Sequence, residues 1–311
     1  MLFGKEPTGF IFDVKRYSIH DGPGIRTTFF FKGCPLSCWW CHNPEGISPL
    51  PAPAYHAGRC IACGRCVREC TRGARSFGPE GVRLDSSQCT ECRLCEHVCP
   101  TRAIEFVGKE MTVGELVSLA KKDLPFYDES GGGVTFSGGE PSMQPEFLLA
   151  CLEALRAEEI STAVDTSGFC REEDILRVAE QADLFLFDLK LIDPKLHEHY
   201  TGVGNHRILT NLRRLDEKLL EQGRGRINIR IPLIPGINDS QENLEAVVDC
   251  VLSLGSVSGV NILPYHSIGA NKYKNLGMEF KMGRTPPPAE NEVSRVLSLF
   301  ASRGIHAVKG G

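Results

Sequence analysis

Short apolar runs alternate with amphipathic segments along most of the chain. Six runs rich in β-branched and aromatic residues are typical of buried parallel strands, and they span residues 26–31, 133–137, 162–165, 184–189, 227–232 and 260–263. Segments with helical periodicity lie between or after these runs, at residues 111–122, 145–156, 172–181, 207–222, 240–254 and 289–302. This alternation predicts the α/β class with a parallel sheet. Six strand–helix units instead of eight favour a partial (β/α)6 TIM-like barrel.

The alternation is interrupted after the first strand. Prolines at positions 49, 51 and 53 mark a linker, and a cysteine-rich stretch follows it. We therefore predict three parts: an N-terminal part of the barrel at residues 1–52, an insert at residues 53–105, and the remainder of the barrel at residues 106–311.

Composition narrows the class of protein. The 311 residues carry a net charge of -4 and contain no dense basic tract, which gives no support to a nucleic-acid partner. The apolar runs are far shorter than a membrane span, and the first residues have no long apolar stretch typical of a secretory signal. Fourteen cysteines in a chain without such a signal predict metal binding in a reducing compartment, so we expect a cytoplasmic protein without a membrane partner.

Three of the cysteines form a compact loop directly after the first strand. Cys34, Cys38 and Cys41 have the spacing C-x3-C-x2-C. Iron–sulfur clusters are normally held by four thiolates, so three would leave one iron of a [4Fe–4S] cluster open to an exchangeable ligand, and Trp40 could stack on an organic ligand there. The alternative is a zinc site completed by His42, which is disfavoured because zinc ligands usually come as spaced pairs.

Eight further cysteines form two runs of identical spacing, C-x2-C-x2-C-x3-C, within the insert. In bacterial ferredoxins the fourth cysteine of such a run binds the other cluster. We therefore assign one [4Fe–4S] cluster to Cys60, Cys63, Cys66 and Cys99. The second is assigned to Cys89, Cys92, Cys95 and Cys70. Zinc is again the alternative, and two identical runs argue against it.

Polar residues lie where each predicted strand ends, which is where parallel α/β barrels carry their working residues. They are Gly138, Gly139 and Glu140 after the second strand, Asp165 and Thr166 at the third, Asp188 and Lys190 at the fourth, Arg230 at the fifth and His266 after the sixth. An arginine fork suits a carboxylate. The alternatives are an ordinary turn at the glycines, solvated strand ends and a surface salt bridge at Arg230.

The cysteine loop resembles the signature of the radical S-adenosylmethionine (SAM) superfamily. Residues 17–28, which read YSIHDGPGIRTT, resemble more narrowly the activating enzymes of glycyl radical enzymes, in the longer type that has a ferredoxin-like insert with two clusters. Activating enzymes of pyruvate formate-lyase look like the shorter type. The resemblance implies the partial barrel, three [4Fe–4S] clusters and SAM as cofactors.

The resemblance also implies roles for the strand-end residues. The SAM contacts carried over are Trp40, Gly138, Gly139, Glu140, Asp165, Thr166, Asp188, Lys190, Arg230 and His266. Asp165, Thr166 and Asp188 would hold a monovalent cation near the SAM carboxylate. Asp21 would lie near the peptide that is oxidised.

By the same resemblance, the reaction is reductive cleavage of SAM to methionine and a 5′-deoxyadenosyl radical. That radical would abstract a hydrogen from a glycine Cα of a cognate glycyl radical enzyme. The insert would relay electrons from flavodoxin or ferredoxin. Two rival hypotheses are a radical SAM enzyme that acts on a small molecule or another peptide, and an electron carrier built on the insert alone. The sequence names neither the partner enzyme nor its substrate.

Overall fold

The computed structural model describes residues 6–79 and 81–310. Its strands are β1 (Thr8–Ser18), β2 (Arg26–Phe31), β3 (Ala52–Tyr55), β4 (Arg75–Gly78), β5 (Gly81–Leu84), β6 (Ile104–Val107), β7 (Lys109–Thr112), β8 (Gly133–Gly138), β9 (Thr162–Thr166), β10 (Leu184–Asp188), β11 (Arg226–Leu233), β12 (Val257–Pro264) and β13 (Ala307–Lys309). Its α-helices are α1 (Arg65–Arg68), α2 (Leu94–His97), α3 (Val113–Ala120), α4 (Leu124–Ser130), α5 (Pro145–Ala157), α6 (Glu172–Ala179), α7 (Pro194–Thr201), α8 (His206–Gln222), α9 (Gln241–Leu252), α10 (Ala270–Leu276) and α11 (Glu290–Ser302). No helix of this described part is long and apolar enough to cross a bilayer.

One large sheet organises the molecule, in the order β13-β12-β11-β10-β9-β8-β2-β1-β7. The six predicted strands are its consecutive members from β2 to β12, and every neighbouring pair among them is parallel. The α/β class and the parallel sheet are therefore confirmed. Parallel neighbours have their carboxyl ends at the same edge, so the polar residues that follow them meet there.

Three strands of this sheet were not predicted. β1 and β7 add an antiparallel edge beside β2, and β13 extends the other edge. The sequence of β1 lacks the pattern of a buried strand, because its second half is largely exposed and carries the charged residues Asp13, Lys15 and Arg16. A strand that is half solvated lacks the continuous apolar run by which a buried strand is recognised.

The helix predicted from residue 111 begins later, at Val113. Met111 and Thr112 belong to β7, and Thr112 caps the helix: its Oγ1 accepts from the Glu115 backbone N–H at 3.2 Å, and the Glu115 carboxylate accepts from the Thr112 backbone N–H at 2.9 Å. An N-cap residue has extended backbone angles, so it can end a strand and start a helix at once.

The two faces of the sheet differ in character. Along β10, Phe185 and Phe187 belong to the large apolar core against the helices, while Leu184 and Leu186 form a separate small cluster on the other face. Because side chains alternate across a strand, Asp188 continues the face of Leu184 and Leu186. The face opposite the helices is therefore the one that carries the polar strand ends.

The predicted insert begins and ends with strands that pair with each other. β3 pairs antiparallel with β6, with Ala52 opposite Val107 and Tyr55 opposite Ile104. β4 and β5 form a hairpin between them. Two four-residue helices, α1 and α2, each follow an N-cap residue in the left-handed conformation, Gly64 and Arg93. The repeated cysteine spacing thus coincides with a repeated local backbone geometry.

Candidate functional site

A cavity of about 390 Å³ lies at the carboxyl ends of the parallel strands. The three cysteines of the loop line it, together with nine of the ten predicted SAM contacts. Those nine are Trp40, Gly138, Gly139, Asp165, Thr166, Asp188, Lys190, Arg230 and His266. Residues that come from five different strand ends and the loop therefore converge on one space.

Hydrogen bonds to the backbone of the cysteine loop come from three other parts of the chain. Cys34 N donates to Ile47 O at 3.1 Å, within the loop's own return. Trp39 N donates to Tyr200 O at 3.0 Å, at the end of α7. From α10, the Tyr273 hydroxyl donates to Cys41 O at 3.1 Å. The Asn43 N–H also donates to Cys41 Sγ at 3.4 Å, and no thiol donates in these bonds, so all three sulfur atoms stay available as ligands.

The three thiols lie in surroundings that oppose ionisation. Burial raises the pKa of Cys34 and of Cys41, and it raises the pKa of Cys38 to about 12. A thiolate is the form that binds metal. A cationic iron–sulfur core would supply the positive charge that these thiolates need, so the donor set fits a cluster with three protein ligands.

Gly139 allows the chain at the end of β8 to pack directly on the cysteine loop. A Cβ at this position would lie 2.4 Å from Gly33 O and 2.6 Å from Gly46 O, both of which are backbone atoms. The Gly139 N–H donates to Phe31 O at 2.8 Å, and the Glu140 N–H donates to Gly33 O at 2.7 Å. The glycine is therefore needed for contact between two parts of the chain, in addition to any approach to a ligand.

Glu140 is the one predicted SAM contact that does not line the cavity. It is 1% exposed. One carboxylate oxygen accepts from the Thr166 and Ser142 hydroxyls at 2.7 and 2.6 Å, and the other accepts from the Ser167 N–H and hydroxyl at 2.8 and 2.6 Å. This buried carboxylate ties β8 to the end of β9, so it positions the cavity wall.

Two ion pairs lie in the wall of the cavity. Arg230 Nη1 lies 3.3 Å from Asp165 Oδ2, and Lys190 donates to Asp188. Burial raises the pKa of Asp165 to about 6, against the opposing effect of Arg230. Burial alone would lower the pKa of Lys190, but Asp188 and the Cys38 thiol reverse the shift and raise it.

Arg230 retains unused donors in this wall. Its contact with Asp165 lacks hydrogen-bond geometry, and Nε and Nη1 are buried without an acceptor. A buried guanidinium N–H without an acceptor is unfavourable. An anionic ligand group in the cavity would satisfy it, and a carboxylate fits the fork.

The monovalent cation predicted at Asp165, Thr166 and Asp188 has less support. Both aspartates already pair with a basic side chain, and the Thr166 hydroxyl donates to Glu140. The cation stays a prediction.

Aromatic side chains line part of the cavity wall, namely Trp40, His42, Tyr265 and His266. His42 stacks on His266 with ring centroids 4.1 Å apart, and burial lowers the pKa of His42 to about 4. Trp40 packs in a small apolar cluster with Tyr265 and Ile234. Tyr265 was not predicted as a site residue, yet its hydroxyl is buried without a hydrogen-bond partner. Its position directly before His266, at a strand end, was the available signal.

Asp21 does not line this cavity, but its turn adjoins it. The Asp21 carboxylate accepts from the Thr28 hydroxyl at 2.8 Å, and its backbone O accepts from the Thr135 hydroxyl at 2.6 Å. Arg26 donates to Pro23 O at 3.3 Å and to Thr135. Sequence reasoning gave Arg26 and Thr135 no role, and they position the turn.

A second cavity of about 420 Å³ adjoins this turn, with Gly22 and Pro23 in its wall. It shares His20 and Arg230 with the first cavity. Asn228 of β11 and Asn261 of β12 also line this cavity. The Asn228 Oδ1 atom is buried and accepts no hydrogen bond from the described residues.

The insert contains two separate cysteine-lined cavities. Cys60, Cys63, Cys66 and Cys99 line one of them. The other is lined by Cys70, Cys89, Cys92 and Cys95. These are the two sets predicted from the crossed ferredoxin pattern, so each fourth cysteine lies with the other run's first three.

Comparison with known proteins identifies the family. Residues 28–248, more than half of the chain, match the model of the Radical SAM superfamily. A choline trimethylamine-lyase activating enzyme of Oleidesulfovibrio alaskensis is 40% identical over 297 residues, which cover 94% of this chain and 94% of that protein. A trans-4-hydroxy-L-proline dehydratase activating enzyme of Clostridioides difficile is 40% identical over 97% of this chain and 99% of that protein. An isethionate sulfite-lyase activating enzyme of Desulfovibrio desulfuricans is 39% identical over 91% of each chain. The chain therefore belongs to the radical SAM superfamily and, within it, to the family of glycyl radical enzyme activating enzymes.

Proposed function

We propose that this chain cleaves SAM reductively at the Cys34, Cys38 and Cys41 site and generates a glycyl radical on a partner enzyme. The observation that carries the proposal is the convergence of three thiols, an arginine with unused donors and the Gly138-Gly139 turn on one cavity. The relatives that match over nearly the whole chain are activating enzymes.

A [4Fe–4S] cluster held by Cys34, Cys38 and Cys41 would supply the one electron needed for reductive cleavage of SAM to methionine and the 5′-deoxyadenosyl radical. The protein supplies orientation and exclusion of water. Arg230 would hold the methionine carboxylate through its free N–H groups, and Trp40 and His266 would cover the adenosine side. Glu140 and Gly139 would keep the cysteine loop against the strand ends.

Replacing Arg230 with methionine should weaken SAM binding by about tenfold to a hundredfold, because hydrogen bonds to charged groups contribute about 1.5–3 kcal/mol each. Arg230→Lys should recover only part of the loss, since an ammonium cannot match the carboxylate with two parallel bonds. Isothermal titration of the reconstituted protein with SAM measures the effect. Arg213, exposed on α8, provides the control, and Arg213→Met should bind SAM normally. Equal affinities for Arg230→Met and the unmodified protein would remove Arg230 from the SAM site.

The substrate is proposed to be a backbone segment that carries a glycine. The second cavity adjoins the first at Arg230 and the Asp21 turn, and it presents Asn228 Oδ1 as an unused acceptor. An extended peptide has N–H groups that such an acceptor could satisfy. The partner would have to open partly so that its glycine loop could enter.

Adding SAM, reductant and the glycyl radical enzyme encoded beside this gene should produce a stable Cα-centred radical on that enzyme. Electron paramagnetic resonance should show a doublet, because one α-hydrogen remains on the oxidised glycine, and changing that glycine to alanine should abolish it. Asp21→Asn should reduce the radical yield more than it weakens SAM binding, if Asp21 faces the peptide. Absence of a radical with every neighbouring candidate, together with turnover of a small metabolite, would favour the small-molecule hypothesis.

We further propose that the insert is a ferredoxin-like unit that holds two [4Fe–4S] clusters and relays electrons from flavodoxin or ferredoxin in a reducing cytosol. The support is the division of its eight cysteines between two cavities in the crossed pattern. All eight are used as ligands in this assignment, so neither insert cluster would bind SAM.

Cys63→Ala tests this relay. The exposed Cys63 belongs to the first set, and its loss should slow radical formation driven by reduced flavodoxin more than formation driven by dithionite, which can reach the site cluster directly. The ratio of the two rates, in the variant and the unmodified protein, is the measurement. An equal loss with both reductants would show that the insert serves folding or catalysis instead.

A further inference from the structure

Arg75 is an unusual residue of the insert. It opens β4 and is only 4% exposed, although a guanidinium is among the side chains that are least often buried. Its Nε and Nη2 atoms are buried and have no hydrogen-bond partner in the described part of the chain. The ion pairs described for this part of the chain also give it no carboxylate. A buried, unpaired guanidinium is strongly unfavourable unless another negative group lies beside it.

The cysteines are the groups beside it. Arg75 lines the cavity of Cys70, Cys89, Cys92 and Cys95. β4, which Arg75 opens, also packs against α1, the helix that carries Cys66 of the other set. Arg75 therefore lies in the wall of one predicted cluster position.

The other two arginines of the same cavity are compensated. Arg72 lines it from an exposed position, where water screens its charge. Arg93 pairs with Glu96 at 2.8 Å and lies over the Phe106 ring. Within the described residues of this cavity wall, Arg75 is thus the arginine that is both buried and uncompensated.

We propose that Arg75 raises the reduction potential of the insert cluster at Cys70, Cys89, Cys92 and Cys95. A cluster with four thiolates is anionic and gains a further negative charge when it accepts one electron. A nearby fixed cation stabilises the reduced form more than the oxidised form, and net charge and hydrogen bonds to sulfur are known determinants of these potentials. The inference rests on the proposed function of the insert as a two-cluster unit.

The test is a redox titration of the full chain in which Cys34, Cys38 and Cys41 are alanine, so that only insert clusters contribute. Dithionite supplies the electrons, and paramagnetic resonance counts reduced clusters at each poised potential. Arg75→Met removes the charge and keeps much of the volume, Arg75→Lys keeps the charge, and Arg72→Gln is the matched control from the same cavity. Iron content, expected at about eight per chain, and circular dichroism establish that each variant is loaded and folded.

In Arg75→Met, the ratio of reduced to oxidised cluster at a fixed poise should fall by about tenfold or more, which is a shift of about 59 mV for one electron. Arg75→Lys and Arg72→Gln should stay within about threefold of the parent chain. A fully loaded Arg75→Met with unchanged potentials would overturn the inference, as would an equal shift in Arg75→Lys, which would assign the effect to packing. A parent chain without insert clusters would instead refute the proposed function of the insert.

Discussion

Replacement of Cys34, Cys38 and Cys41 together by alanine should remove about four of about twelve irons per chain and abolish SAM cleavage. Twelve is the content expected for three [4Fe–4S] clusters. The three thiols line one cavity. Apart from the bond from Asn43 N to Cys41 Sγ at 3.4 Å, the loop is anchored by backbone bonds such as Cys34 N to Ile47 O. We therefore expect the variant to fold and to keep its insert clusters. Iron and sulfide analysis, with 5′-deoxyadenosine as the product assayed, measures both effects.

Cys250→Ala is the control for this experiment. Cys250 lies on α9 and belongs to none of the three cysteine runs. Its loss should change neither iron content nor SAM cleavage. An iron content near four in the unmodified protein, or one zinc per chain, would contradict the three-cluster assignment.

Gly139→Ala should disable the same site without removing any ligand. The added methyl group would lie 2.4 Å from Gly33 O and 2.6 Å from Gly46 O, closer than atoms can approach, and both neighbours are backbone. The cysteine loop must then move away from the end of β8. Overpacking of this kind costs about 1–3 kcal/mol of folding free energy and sometimes more. We expect loss of the site cluster and at least about tenfold weaker SAM binding, with about eight irons retained in the insert.

Gly204→Ala is the matched substitution, because a Cβ there meets nothing within 4 Å. It should preserve iron content, SAM affinity and thermal stability. If Gly139→Ala were equally neutral, the close packing of the second strand end on the cysteine loop would not be needed for the site.

The residues that line the cavity were easier to predict than the residues that hold the site together. Cysteine spacing within a few residues reports local loop geometry, and strand ends of a parallel sheet meet at one edge. Both kinds of signal are present in the sequence. Arg26, Thr135 and Ser167 gave no such signal. Arg26 bonds to Thr135 and Ser161, Thr135 bonds to Asp21, and Ser167 bonds to Glu140, across 27 to 135 positions of the chain.

The sequence by itself determined the α/β class and the positions of the six parallel strands, and it predicted the sets of cysteines that share a cavity in the insert. The strands follow from periodicity, which depends on neighbours along the chain, and the cysteine sets follow from the ferredoxin pattern in which the fourth cysteine of a run binds the other cluster. Only the tertiary structure decided that Glu140 turns from the cavity into a buried network with Thr166 and Ser167. It alone left Arg230 and Arg75 with unused donors. Whether a polar side chain finds a partner depends on residues brought beside it by packing, and a linear pattern does not contain that information.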